Sequence, residues 1–207
     1  MNRRDAISRV ALIMGGAVIG AEFFISGCKP TSSGVSDLFD ADHVAFLNEA
    51  GDAILPATST PGAKAANVGQ FMAVMVRDCY EPKDQKIFLE GIGKLDDASR
   101  KKFNSKFMDI TQAQRTDLLI AIDAEQKDYY KQQYKKQEAD MAKHKGDAKY
   151  TPADIPNHYF KMIKELTLLG YFTSEVGATK ALRYMETPGH YDGCMPYKKG
   201  DKAWAID

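Results

Sequence analysis

The chain has 207 residues, of which 44% are hydrophobic and 27% are charged, as in an ordinary soluble globular protein. Its 28 lysines and arginines balance 28 aspartates and glutamates. A chain without net charge lacks the basic surface that binds nucleic acid, so we expect no nucleic-acid partner.

The first 28 residues have the pattern of an export signal. Adjacent Arg3 and Arg4 precede an apolar run from Val10 to Ile25, and the paired arginines indicate the twin-arginine route. The run ends in Ile-Ser-Gly-Cys, which resembles a lipoprotein box whose cysteine, Cys28, is diacylated and becomes the mature N-terminus. A transmembrane anchor is the alternative, but about 16 apolar residues are fewer than the roughly 20 that span a bilayer.

The export route bears on cofactors, because the twin-arginine pathway carries proteins that have folded with a cofactor or a partner. The glycine cluster from Gly15 to Gly20 lies inside the signal and lacks the strand and the acidic residue of a dinucleotide site. The sequence has no Cys-x-x-Cys-His haem attachment, no His-Glu-x-x-His and no phosphate loop. We therefore expect no cofactor or metal in this chain and a partner that carries the cofactor.

After the signal, residues 29–39 form a polar tether rich in Ser, Gly and Pro, and residues 40–207 are predicted to form one domain. Apolar residues at helical spacing predict a first helix from Asp40, which Pro56 ends. The same spacing predicts a second helix from Val68 to Cys79.

The middle of the chain predicts three more elements. A third helix is expected to start near Pro82, a residue that suits a first turn, although Gly91 and Gly93 weaken it. Asp96–Ser99 is interpreted as the start of a separate short element. Thr111 has the character of an N-cap for the next helix.

The second half of the domain begins with a polar insertion, residues 123–151, which is either a solvated helical arm or partly disordered. An apolar helix is predicted from Tyr159 to Gly170, and a last helix from Ser174 to Met185. A loop-rich tail follows, with an anchor at Trp204. No long run alternates with a period of two, so the predicted fold class is all-α, a compact helical bundle with a loop-rich C-terminal tail.

Several segments together resemble the gluconate 2-dehydrogenase subunit 3 family. They are Ile-Leu-Pro-Ala-Thr at 54–58, Thr-Pro-Gly-Ala at 60–63, Asp-Cys-Tyr at 78–80, the segment 165–182, and Pro-Gly-His-Tyr-Asp-Gly-Cys at 188–194. The resemblance implies a small subunit that accompanies a large flavoprotein of the glucose-methanol-choline oxidoreductase type, often with a multihaem cytochrome c. In that family FAD and the dehydrogenation belong to the large subunit, and the small subunit escorts it through twin-arginine export. The lipoprotein box and the polar insertion depart from the family pattern.

Two pairs of residues are candidates for a role beyond the core. Adjacent aromatic residues at a helix end cannot both face one core, so Tyr171 and Phe172 either form a partner-facing patch or both pack in the junction between helices. Cys79 and Cys194 are the pair left after lipidation, in a compartment that permits disulfides, so we expect them to be bonded. The alternative is two unrelated cysteines, with Cys79 buried and Cys194 exposed.

Three function classes compete at this point. An accessory subunit of a membrane-associated flavin dehydrogenase agrees with the signal, the missing cofactor motifs and the resemblance. A free-standing enzyme would need a convergent polar site, which the sequence does not supply. A structural lipoprotein without a redox partner agrees with the anchor but leaves the export route unexplained. In the first interpretation the protein is lipid-anchored on the periplasmic side of a bacterial membrane.

Overall fold

The computed structural model describes residues 38–205 except positions 148, 188, 190 and 191. Arg3, Arg4, Cys28 and most of the predicted tether therefore lie outside the described residues.

The first two helices have the predicted bounds. Helix α1 spans Ala41–Ile54, and Asp40 caps it, since its carboxylate accepts a hydrogen bond of 2.7 Å from the His43 N–H. A short 3₁₀ turn at Ala63–Ala66 leads into helix α2, Val68–Cys79.

Helix α3 spans Pro82–Phe103 without interruption, so the predicted start of a separate element at Asp96–Ser99 is wrong. Ser99 is fully buried in the C-terminal part of the helix, four residues before its end. The Asp96 carboxylate does not cap a new helix; it accepts a hydrogen bond of 2.8 Å from the Phe107 N–H, in the loop that follows α3. An aspartate that serves a distant loop has the same local sequence as one that starts a helix, which explains the error.

Helix α4 spans Gln112–Lys143 and begins at the predicted cap, where the Thr111 hydroxyl accepts from the Gln114 N–H at 3.3 Å. Its first three turns bury Leu118, Leu119 and Ile122 in the core. The apolar stripe then ends while the helix continues, so the second half of α4 needs another source of stability.

That source is the segment that returns along the helix. We call residues 123–158 the arm: the second half of α4 and the return segment. The Tyr129 hydroxyl donates to the Pro156 carbonyl at 3.0 Å, and the Gln137 amide donates to the Ala153 carbonyl at 3.1 Å. Of the two predicted alternatives for this polar stretch, the structure shows the solvated helical arm.

Helix α5, Tyr159–Phe172, is the central element of the described bundle and packs against each of the four α-helices described above. It extends two residues beyond the predicted end at Gly170. Gly91 lets α3 approach closely, because a Cβ there would overlap the Tyr159 side chain. The fully buried apolar side chains that form the core are Phe39, Leu47, Val68, Met72, Val76, Phe88, Leu95, Phe107 and Ile163.

The predicted last helix from Ser174 to Met185 is wrong. The structure has a short π-helical turn, Gly177–Ala181, after which the chain becomes extended, and Met185 is 48% exposed. Arg183 instead forms an isolated parallel bridge with Trp204, the residue expected to anchor the tail.

The described residues otherwise contain helices and loops, so the predicted all-α fold class is confirmed. Among them, no helix combines the length and the apolar character needed to cross a bilayer.

Candidate partner interface

Three of the segments that carry the resemblance, 60–63, 78–80 and 165–182, lie at or beside helix α5. Tyr171 is buried, and its hydroxyl donates a hydrogen bond of 2.5 Å to the carbonyl of Pro61, in the Thr-Pro-Gly-Ala segment that lies 110 positions earlier. Two of the segments that carry the resemblance, 60–63 and 165–182, are therefore in direct contact.

The Asp-Cys-Tyr segment lies close to the same helix. Burial raises the pKa of Tyr80, and the nearby carboxylates of Glu165, on α5, and Asp84 raise it further. The turn that carries Tyr80 is held by Gln85, whose side-chain amide donates to the Tyr80 carbonyl at 3.1 Å and to two carbonyls at the end of α2.

The end of α5 explains the Ser-x-x-Gly pattern at 174–177. The Ser174 hydroxyl donates to the Tyr171 carbonyl at 2.6 Å and accepts from the Gly177 N–H at 3.0 Å. A Cβ on Gly177 would overlap the Tyr171 carbonyl oxygen, so only glycine allows the chain to pass this close to the helix end. These residues of the segment act through packing and hydrogen bonding.

The structure separates the two aromatic residues that were candidates for a partner interface. Tyr171 is 4% exposed and belongs to the core, so it cannot form a surface patch in this conformation. Phe172 is 40% exposed and lies beside Leu169, three residues earlier on α5 and 46% exposed. The sequence predicted the same environment for both residues. The hydrogen bond from Tyr171 to Pro61 keeps Tyr171 in the core, whereas Phe172 lies at the surface.

Most of the exposed large hydrophobic side chains near this end lie in the tail, which the sequence analysis did not single out as an interface. They are Tyr184, Met185, Met195, Tyr197 and Trp204, between 41% and 77% exposed. Exposed aromatic and methionine side chains in one segment are typical of a surface that contacts another body. A count of aromatic residues after position 182 could have pointed to it.

Cys79 and Cys194 are free thiols in the structure, and both are exposed. The predicted disulfide is therefore not formed in it, and the alternative of a buried Cys79 is not found either. The bond stays a prediction for the protein in an oxidising compartment, and counting free thiols would check it.

Glu49, Lys64 and Arg115 form a charge cluster that has a structural role. Hydrogen bonding from Lys64 and the charge of Arg115 hold the pKa of Glu49 below its usual value, while burial opposes them. Arg115 is largely buried and also donates to the Phe107 carbonyl at 3.1 Å and the Met108 carbonyl at 2.8 Å. It thereby ties α1 to the loop before α4. Sequence reasoning missed this cluster because Glu49 and Arg115 are 66 positions apart.

No convergent catalytic site appears in the described part of the chain. An open depression lies between α1 and α3, but the charges on its lining are mixed, and Arg100 there is paired with Asp96 at 2.9 Å. Within the same described residues, no three metal-ligating side chains gather, and no buried side-chain polar atom lacks a hydrogen-bond partner.

Comparison with known proteins gives one match. The profile of the family described as gluconate 2-dehydrogenase subunit 3 matches residues 41–189, which is more than half of the chain. Neither the curated proteins nor the solved structures contain a significant match. The matched range contains all five α-helices of the described residues. It also contains four of the five segments that carried the resemblance, and it ends inside the fifth, 188–194. The chain belongs to the gluconate 2-dehydrogenase subunit 3 family.

Proposed function

We propose that this chain is a non-catalytic accessory subunit of a membrane-associated, periplasmic FAD-dependent dehydrogenase of the glucose-methanol-choline type, acting on a sugar or a sugar acid. It assists the twin-arginine export, the assembly and the membrane anchoring of the flavoprotein subunit. The observation that carries the proposal is the family match over residues 41–189. FAD belongs to the partner, and a multihaem cytochrome c can complete the complex.

Two features of the chain support this assignment. The buried polar groups of the described bundle are used within the fold, as in the bonds from Tyr171 to Pro61 and from Arg115 to Phe107. These bonds stabilise the bundle that would bind the flavoprotein subunit. The sequence also supplies the export signal with Arg3 and Arg4 and the lipoprotein box at Cys28, which a partner without its own signal would need.

The test is to change Arg3 and Arg4 together to lysine and to follow the flavoprotein subunit by cell fractionation. We expect the flavoprotein to stay in the cytoplasm, although its own gene is unchanged, because it crosses the membrane as a folded complex with this chain. Arg9→Lys is the matched control, since Arg9 lies in the same segment outside the adjacent pair. It should leave export of both chains normal.

The outcomes separate the candidate functions. If the flavoprotein reaches the periplasm normally in the double variant, the escort role is wrong. If no flavoprotein accompanies this chain in any fraction, the alternative of a structural lipoprotein without a redox partner is correct.

A further inference from the structure

The tail after the π-helical turn closes into a loop. The Arg183 N–H donates to the Ala203 carbonyl at 2.7 Å, and the Ala205 N–H donates to the Arg183 carbonyl at 2.9 Å. The Arg183 guanidinium also lies over the Trp204 ring, 4.7 Å from its centroid. The two ends of the tail are therefore joined, and these bonds fix the position of the residues beside Trp204 relative to Arg183.

The loop presents aromatic rings and lysines together. Tyr197 is 77% exposed, the highest value among the exposed large hydrophobic residues, and it is followed directly by Lys198 and Lys199, both exposed. Trp204 is 41% exposed and follows the exposed Lys202 by two positions. We call these five residues the tail patch.

The combination of exposed aromatic rings and lysines distinguishes between a protein surface and a lipid surface as the binding partner of the tail patch. Protein interfaces are enriched in Tyr, Trp and Met but depleted in Lys. Amphipathic rings beside lysines are instead typical of segments that lie at the headgroup level of a bilayer, where lysine attracts anionic lipids. The composition of the tail patch therefore favours a lipid surface over a protein surface.

A lipid anchor at Cys28 would hold the domain close to the bilayer. If Cys28 carries lipid, the chain between it and Leu38 spans at most about 36 Å. A domain of this size is about 40 Å across. The domain then stays within roughly one diameter of the bilayer, and a patch with affinity for lipid decides which side faces the membrane.

We propose that the tail patch binds anionic phospholipid headgroups and orients the lipid-anchored domain on the membrane. The proposal rests on the anchoring part of the proposed function. The three lysines lie beyond residue 189, where the family match ends, so the patch belongs to this chain's own C-terminal segment. The lipoprotein box, at the other end of the chain, also lies outside the match.

Trp204 provides the probe, because it is the chain's single tryptophan. The mature lipidated protein is reconstituted into phosphatidylcholine vesicles with or without phosphatidylglycerol, each prepared with brominated acyl chains that quench tryptophan. We expect a blue-shifted and quenched Trp204 emission with phosphatidylglycerol and a much weaker change without it. Each lysine near an anionic surface contributes at most about fivefold, and the Asp201 carboxylate, which accepts from the Lys198 N–H at 2.9 Å, opposes part of this attraction. The triple variant Lys198→Gln, Lys199→Gln, Lys202→Gln should therefore lower the equilibrium constant for contact by at least about tenfold and at most about 100-fold.

The matched control removes three exposed lysines from the arm, Lys131→Gln, Lys135→Gln and Lys136→Gln, and should leave the quenching unchanged. Vesicle flotation measures anchoring separately from patch contact. Flotation without quenching overturns the tail proposal and leaves the lipid anchor in place. A protein that does not float overturns both. If the Trp204 emission does not change with lipid but shifts when the flavoprotein is added, the tail proposal is wrong and the patch binds the protein partner instead.

Discussion

The helical bundle and the tail differ in the burial of their aromatic side chains. In the bundle, Phe39 and Phe88 are fully buried and meet edge to face, with ring centroids 5.9 Å apart. In the tail, Tyr197 and Trp204 face solvent, and the loop is joined by two backbone hydrogen bonds and one cation–π contact. The bundle thus depends on apolar burial, whereas the tail depends on a small number of local bonds.

The difference indicates where stability and where function are concentrated. Burial of large apolar side chains contributes most of the free energy of folding, so the bundle should unfold as one cooperative unit. A segment with few buried contacts opens locally at a lower free energy. Binding surfaces are often built from such segments, because their side chains are free to bind another body.

The largest predicted effect comes from matched aromatic truncations in the two regions. Phe88→Ala should lower the free energy of unfolding by about 3–5 kcal/mol, because it leaves a cavity in the core. Tyr197→Ala should change it by no more than about 0.5 kcal/mol, because the side chain is 77% exposed. Urea denaturation followed by circular dichroism measures both. Equal losses would mean that the tail belongs to the cooperative core.

A smaller effect is expected at the junction between the two regions. Gly177→Ala forces a Cβ against the Tyr171 carbonyl oxygen, which should cost about 1–3 kcal/mol and loosen the tail from the end of α5. Hydrogen exchange at the Arg183 and Ala205 amides should become faster, while the amides of α1 stay protected.

Gly93→Ala is the control for that substitution. Gly93 also lies in a helix, but a Cβ there meets nothing within 4 Å. Alanine should therefore stabilise the protein by up to about 1 kcal/mol through helix propensity alone. An unchanged exchange rate at Arg183 in Gly177→Ala would show that the junction does not hold the tail.

The smallest effect concerns pH and the arm. Burial lowers the pKa of His158, and the charge of Lys94 lowers it further, while Glu125 opposes them. The unfolded chain, with an ordinary histidine pKa near 6.5, then binds more protons than the folded chain just below that pH. The contribution of neutral His158 to stability is present above about pH 6.5 and is lost as the pH falls through the folded pKa.

The readout for this prediction is local. The His158 ring accepts a hydrogen bond of 3.3 Å from the Phe160 N–H and caps α5. The protection factor of the Phe160 amide, which is the intrinsic exchange rate at a given pH divided by the observed rate, should therefore fall in acid. His158→Asn keeps a capping oxygen without a titrating ring and should remove this pH dependence. His144→Asn, on the exposed end of the arm, should not change it. The same acid response in His158→Asn would assign the effect to another group.

The sequence predicted helix bounds correctly where interactions between residues close in the chain determine them. The cap at Thr111 and the bounds of α2 follow from hydrogen-bonding side chains and apolar spacing within a few residues. The family resemblance rested on short segments, and three of them, 60–63, 78–80 and 165–182, lie at or beside α5 in the described part of the chain.

Prediction failed where a distant residue decides the structure. Asp96 looked like a helix start, but its partner is Phe107, eleven positions later. The last helix ends early because Gly177 packs on the carbonyl of Tyr171 and because Arg183 pairs with Trp204. Tyr171 and Phe172 could not be separated without knowing that Pro61 accepts a bond from the first of them. In each case the deciding contact lies outside the local window.

The most direct test of the central claim is the composition of the native complex. This chain is purified from membranes in mild detergent through an affinity tag at its C-terminus, and the eluate is examined by mass spectrometry and by visible absorption. We predict a large flavoprotein at one copy per copy of this chain, with the flavin absorbance following the large subunit after the two are separated. A chain that elutes without a flavoprotein, or that retains flavin after separation, would contradict the account.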